Sequence, residues 1–186
     1  MRTLQGDHDG SSLRIGVVVS RFNESVTGAL LEGALEALEE AKVPPEEITV
    51  VSVPGAFEIA GAACKLAASG RADAVVGLGA VIRGQTEHFT FVAAAAQEGI
   101  LRVILDLGVP VTFGVLTTDD FEQAEARAGL GDGKAGNKGY EAALDAVEMA
   151  NLYRLLEPAQ REGQGEDRGE GQGEDRGGSA AAPDIR

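Results

Sequence analysis

The sequence predicts an α/β domain of three layers, with helices on both faces of a central four-stranded parallel sheet. Three observations carry this. Four apolar runs of strand length alternate with amphipathic helical stretches through short connections, the order produced by parallel strands joined by helical crossovers. The runs are continuously apolar, which marks strands buried on both faces. The chain is 44% hydrophobic but only 4% aromatic, with no Trp, so its core is built from Ala, Val, Leu and Ile, side chains that let helices pack closely on a sheet. A length of 186 residues fits one domain with an appendage.

Residues 1–12 are polar and are expected to be flexible unless a neighbouring subunit ties them down. The domain is placed over residues 13–158. LRIGVVVS (Leu13 to Ser20) reads as the first strand and RFNES as a loop. Thr27 to Ala41 reads as a helix, with apolar groups at Leu30, Leu31, Ala34, Leu35, Leu38 and Ala41. Pro44 and Pro45 end it. ITVVSVP (Ile48 to Pro54) is the second strand, followed by a helix over about Phe57 to Ser69. DAVVGLGAVI (Asp73 to Ile82) is the third strand and runs into the loop RGQTEH. An Ala-rich helix over Phe89 to Leu107 precedes the fourth strand, VPVTFGVLTT (Val109 to Thr118). DDFEQAEARAG makes a short helix, a Gly-rich link follows, and a last helix covers Tyr140 to Leu156.

Residues 159–186 are expected to be a disordered tail. EGQGEDRG occurs there twice in succession, at 162–169 and 170–177, with almost nothing apolar. Such a segment cannot recover the entropy lost on folding.

The formal charge is −14, from 30 acidic and 16 basic residues. So acidic a surface repels phosphodiester backbones and anionic lipid, which argues against nucleic-acid and membrane partners. A small anionic substrate remains compatible where one or two basic groups converge. The leader MRTLQGDHDGSS has no apolar core of a secretory signal, and no run approaches the roughly 18 apolar residues of a membrane span. A cytoplasmic protein is the expectation. The lone Cys64, within AACKLAA, reads as a small core hydrophobe.

In a parallel α/β sheet, ligands sit beyond the carboxyl ends of the strands. That directs attention to Arg21–Asn23, Pro54–Glu58, Arg83–His88 and Phe113–Thr118. Of the two histidines, His8 lies in the leader, whereas His88 stands where a side chain faces the expected crevice and reads either as a structural or solvated residue or as a proton-transfer group. Imidazole is the side chain best suited to moving a proton near neutral pH. Arg127 lies near the same rim as a candidate anion clamp. The Arg83–Thr86 turn offers backbone N–H groups and a hydroxyl to a phosphate. Phe22 has two readings, a stacking platform for a flat heterocycle or a plug for the core. Glu58 likewise reads either as a helix N-terminal acid or as a partner for a polyol hydroxyl. The glycines of GLGAVIRG are not spaced GxGxxG and follow the third strand, so a dinucleotide fingerprint is discounted. HExxH, CxxC, P-loop and GxSxG motifs are absent from the sequence.

Together, IGVVVSRFN, VPGAFEIA, GLGAVIRGQTEHF, PVTFGVLTT, EARAG and KAGNKGYEAALDAVEMANL resemble lumazine synthases. The resemblance spans nearly all of residues 13–157, and its specificity lies in the order and spacing of the pieces. It implies a flavodoxin-like fold and an enzyme of riboflavin biosynthesis, a transferase. That enzyme condenses 5-amino-6-(D-ribitylamino)uracil with 3,4-dihydroxy-2-butanone 4-phosphate to give 6,7-dimethyl-8-ribityllumazine, phosphate and water. By the same resemblance Phe22 stacks on the pyrimidine, with Asn23 beside it, and Ala56, Phe57 and Glu58 hold the ribityl chain. Val81 and Ile82 present backbone to the ring. Gly84, Gln85 and Thr86, with Arg127, receive the phosphate, and His88 transfers protons. Phe113 and Lys138 come from a neighbouring subunit. No cofactor or metal is implied.

The implied assembly is a homo-oligomer. A pentamer is favoured over a decamer or a sixty-subunit shell, because the link from Arg127 to Lys138 is longer than in shell-forming relatives. Riboflavin synthase is a further implied partner. Glu87 departs from the family pattern in the phosphate loop and is expected to point away from the phosphate. Two rivals stand beside this reading. One is a lumazine- or flavin-binding module that lost catalysis, and the presence of His88 and Arg127 argues against it. The other is a flavodoxin-like or nicotinamide-dependent oxidoreductase, whose cofactor loops are not found.

Overall fold

A computed structural model describes residues 1–130 and 136–157. The repeat tail and the middle of the Gly-rich link lie outside the described residues. Four strands, β1 (Ile15–Ser20), β2 (Ile48–Val53), β3 (Ala74–Ile82) and β4 (Val111–Thr118), form one sheet in the order β2-β1-β3-β4. Every pairing is parallel. Five α-helices accompany them: α1 (Glu24–Glu40), α2 (Ile59–Ala68), α3 (His88–Leu107), α4 (Phe121–Arg127) and α5 (Lys138–Leu156). The flavodoxin-like α/β/α sandwich expected from the sequence is the architecture observed.

Successive side chains of a strand point to opposite faces, and this divides the core in two. Ile15, Val17 and Val19 of β1, with Ala74, Val76, Leu78 and Ala80 of β3, pack against α1 and α5. Val18, Val75, Val81, Val111 and Val115 face α2 and α3. The two glycines inside β3 have a packing role on that second face. A Cβ at Gly79 would lie 2.9 Å from Ile59 Cδ1, and one at Gly77 would lie 3.1 Å from Ile59 Cγ2. Both positions therefore let α2 approach the sheet. Cys64 is partly buried and packs against this same cluster.

The register aligns the carboxyl ends of the strands. Ser20 pairs with Val53, and Ile82 with Thr118, so Phe22, Pro54 and Arg83 emerge along one rim. The chain order reverses between β1, which leads to β2 on one side, and β3 on the other, which places a crevice at that end.

The leader, expected to be flexible unless tied down, makes hydrogen bonds to the rest of the chain. Asn151 Nδ2 donates to the Asp7 and Asp9 carbonyls at 3.1 and 3.0 Å. Arg154 donates to Ser12 Oγ at 2.8 Å and Gly10 N to the Ala41 carbonyl at 2.6 Å. The leader is thus hydrogen-bonded along α5 and the end of α1 within the chain itself. Among the described residues, no helix is long and apolar enough to cross a membrane.

Candidate active site

Beyond the ends of β1 and β3 lies a cavity of about 710 Å³. Its walls include Phe22 after β1, Ala56, Phe57 and Glu58 in the turn leading to α2, and Val81 and Ile82 ending β3. Gly84, Thr86 and His88 close it from the loop and the first turn of α3. Phe22 is 70% exposed, so it is not a core plug. Its ring is a free face on the cavity, the arrangement a stacked heterocycle needs.

Local hydrogen bonds shape these walls. Asn23 adopts a left-handed backbone conformation (φ 61°), which asparagine tolerates better than most residues. Its Nδ2 donates to the Ala80 carbonyl at 3.0 Å, linking the end of β1 to β3 beside Val81. The Glu58 carboxylate accepts from Gly55 N at 3.0 Å, closing the 3₁₀ turn Ala56–Glu58. Glu58 therefore supports the turn while also lining the cavity. The loop after β3 is held by Arg83, whose Nε donates to Asp119 Oδ1 at 2.7 Å. The Arg83 guanidinium also lies 4.5 Å from the centroid of the Phe89 ring.

A second cleft, of about 290 Å³, runs along the outer edge of β4. Phe113, Arg127, Lys138, Glu141 and Asp145 line it. Lys138 pairs with Glu141 one helical turn on. Burial, reinforced by the charges of Glu148 and Glu141, holds the Asp145 carboxyl above the usual carboxylate range. Arg127 donates to the Gln123 carbonyl at 3.3 Å, and among the described residues no carboxylate pairs with it.

The structure brings Phe22, Ala56, Phe57, Glu58, Val81, Ile82, Gly84, Thr86 and His88 together. Asn23 lies beside them, whereas Gln85 and Glu87 do not line the cavity. Within one chain Arg127 lines the second cleft and not the cavity that Gly84 and Thr86 line. The reason is the face on which α4 packs: Ala124 and Ala128 are buried with α1 and α5, whereas the cavity adjoins α2 and α3. Arg127 instead groups with Phe113 and Lys138. Glu141 and Asp145 were not anticipated in either cleft. Their spacing from Lys138 within the last helix is the signal that would have found them, since positions three and seven residues on share a helical face. Among the described residues, no group of three or more His, Cys, Asp or Glu is arranged to hold a metal ion.

A sequence profile of one protein family, described as 6,7-dimethyl-8-ribityllumazine synthase, matches residues 12–154. That span holds all four strands, all but the last two residues of α5, and both clefts.

Proposed function

The chain belongs to the 6,7-dimethyl-8-ribityllumazine synthase family of riboflavin biosynthesis, and from that premise we propose that it catalyses the family's condensation. The substrates are 5-amino-6-(D-ribitylamino)uracil and 3,4-dihydroxy-2-butanone 4-phosphate. The products are the lumazine, phosphate and water. The observation that carries the reading is the convergence of Phe22, the Ala56–Glu58 turn, Thr86 and His88 on one cavity.

In this reading the pyrimidine stacks on Phe22, with ring edges against the backbone of Val81 and Ile82. Its ribityl chain follows the Ala56–Glu58 turn. The primary amine attacks the ketone of the second substrate with loss of water. After phosphate leaves, the ribityl-bearing nitrogen attacks the remaining carbonyl, closing the ring with loss of a second water. His88 shuttles the protons these steps require. Phosphate leaves as an anion and needs cationic partners, and among the described residues of one chain no Lys or Arg lines the His88 cavity. Arg127, with Lys138, lines the second cleft, so a second copy seated over the cavity completes the site. Phe113 arrives with them. Gly84 and Thr86 then offer backbone N–H groups from the opposite wall. Holding both reactants together supplies much of the acceleration. A homopentamer suits such head-to-tail sharing, because a heterologous contact closes into a ring.

The test mixes purified protein with both substrates and follows the fluorescence of the lumazine. A rate above the spontaneous reaction, lowered by His88→Ala, supports the reading. A folded oligomer with no excess rate would mean a pocket kept for binding alone.

A further inference from the structure

Arg127 closes α4 and Lys138 opens α5, and a single buried side chain touches the backbone at both places. Asn137 is 7% exposed. Its Nδ2 donates to the Ala128 carbonyl at 2.8 Å and to the Ala29 carbonyl of α1 at 2.8 Å. Its Oδ1 accepts from Gly139 N at 2.8 Å and Tyr140 N at 3.1 Å, capping α5. Two donors and two acceptor positions are the whole hydrogen-bonding capacity of a carboxamide, and all four are filled. Gly33 of α1 leaves the space this requires, because a Cβ there would fall on the Asn137 amide.

We infer that Asn137 is a positioning residue for the phosphate half of the site, fixing Arg127 relative to Lys138. The inference rests on the second cleft receiving the phosphate, as proposed above. Ala128, which follows Arg127 directly, is held at its carbonyl by Asn137, so the exposed guanidinium inherits a fixed origin. Lys138 follows Asn137 directly and stands in the helical turn that Asn137 caps. No other side chain offers both donors and the acceptor at this reach. Aspartate keeps the cap and loses both donations, and glutamine is a methylene too long for the space beside Gly33.

The test compares Asn137→Asp with the unaltered protein in the full chain. Inorganic phosphate affinity is measured by calorimetry, and KM is measured separately for the two substrates. The expected result is a loss of phosphate affinity of roughly tenfold, the scale of one hydrogen bond to a charged group, with a parallel rise in KM for the phosphate substrate. KM for the pyrimidine, bound in the other cleft, should stay within about twofold. In an Arg127→Ala background, Asn137→Asp should add little, since coupled residues are not additive.

Equal losses for both substrates, unchanged phosphate affinity, or no phosphate binding by the unaltered protein would overturn the inference. Asn137→Ser, which keeps a capping oxygen, is the second variant if Asn137→Asp does not fold. If neither folds and assembles, Asn137 is a folding residue and the inference falls. Absence of lumazine formation by the unaltered protein would instead strike the functional reading, while the phosphate titration would still decide the role of Asn137.

Discussion

His88 and Arg127 open onto different clefts of the same chain, His88 on the cavity beside α3 and Arg127 on the edge of β4. In the proposed mechanism one handles protons and the other anionic charge, so their removal should affect different constants. His88→Ala is expected to lower kcat by about a hundredfold without abolishing turnover, with little change in KM. Arg127→Ala is expected to raise KM for the phosphate substrate by roughly 10- to 100-fold, the range for hydrogen bonds to a charged group. Steady-state kinetics with each substrate varied in turn checks both.

Phe22 contributes an exposed face and little packing. Phe22→Ala should leave the melting temperature nearly unchanged and raise KM for the pyrimidine by about tenfold or more, the scale of stacking on an aromatic side chain. Phe22→Tyr should restore most of the affinity.

The Arg83–Asp119 pair is exposed on both sides, with side-chain accessibilities of 53% and 69%, so its contribution to stability is under about 1 kcal/mol. In the proposed site its role is to hold the Gly84–Thr86 loop in place. Arg83→Ala should therefore shift thermal unfolding by no more than about 3 °C while raising KM for the phosphate substrate several-fold. Thermal melts and kinetics on one preparation separate the two effects.

Asp73 sits at the opposite end of β3 from the site and joins three elements. Arg14 N and Nε donate to its Oδ2 at 2.8 and 3.2 Å, and Arg154 Nη2 lies 3.5 Å away. Partial burial favours its protonated form, but the hydrogen bonds from Arg14 and the charges of Arg14 and Arg154 outweigh this and hold the carboxyl below its ordinary value. A carboxylate shifted downward stabilises the fold above its unfolded pKa of about 3.9, and that stability is lost as pH falls through the lower folded value. Asp73→Asn should therefore destabilise the protein by about 1–2 kcal/mol at pH 7 and by progressively less below about pH 4. Kinetic constants should be unaffected. Denaturant titrations at neutral and acidic pH check the sign.

Much of this molecule was legible in its sequence because the strands are continuous apolar runs. Each observed strand falls within its expected run, with boundaries shifted by at most two residues. The cavity walls were legible for the same reason, since strand ends locate the crevice. Contacts across long separations were not legible. The leader is held through Asn151 and Arg154, and nothing in a polar segment announces a partner so distant in the chain. The face chosen by α4 was also hidden. Seven residues carry too little periodicity, and the buried Ala124 and Ala128 look like any helical alanines. The glycines of GLGAVI gave a signal whose meaning, clearance for Ile59, required the packed structure.

The central claim is that the chain forms the lumazine at a site completed by a second copy, and complementation tests it most directly. His88→Ala and Arg127→Ala chains are co-expressed, purified as mixed oligomers and assayed for lumazine formation with the phosphate substrate well below the KM of the unaltered protein, where each parent alone is nearly inactive. In a ring with one site per interface, random mixing leaves roughly a quarter of sites with both residues intact, so activity should recover to about that fraction of the unaltered protein. Mixed oligomers no more active than the average of the two parents would contradict a shared site.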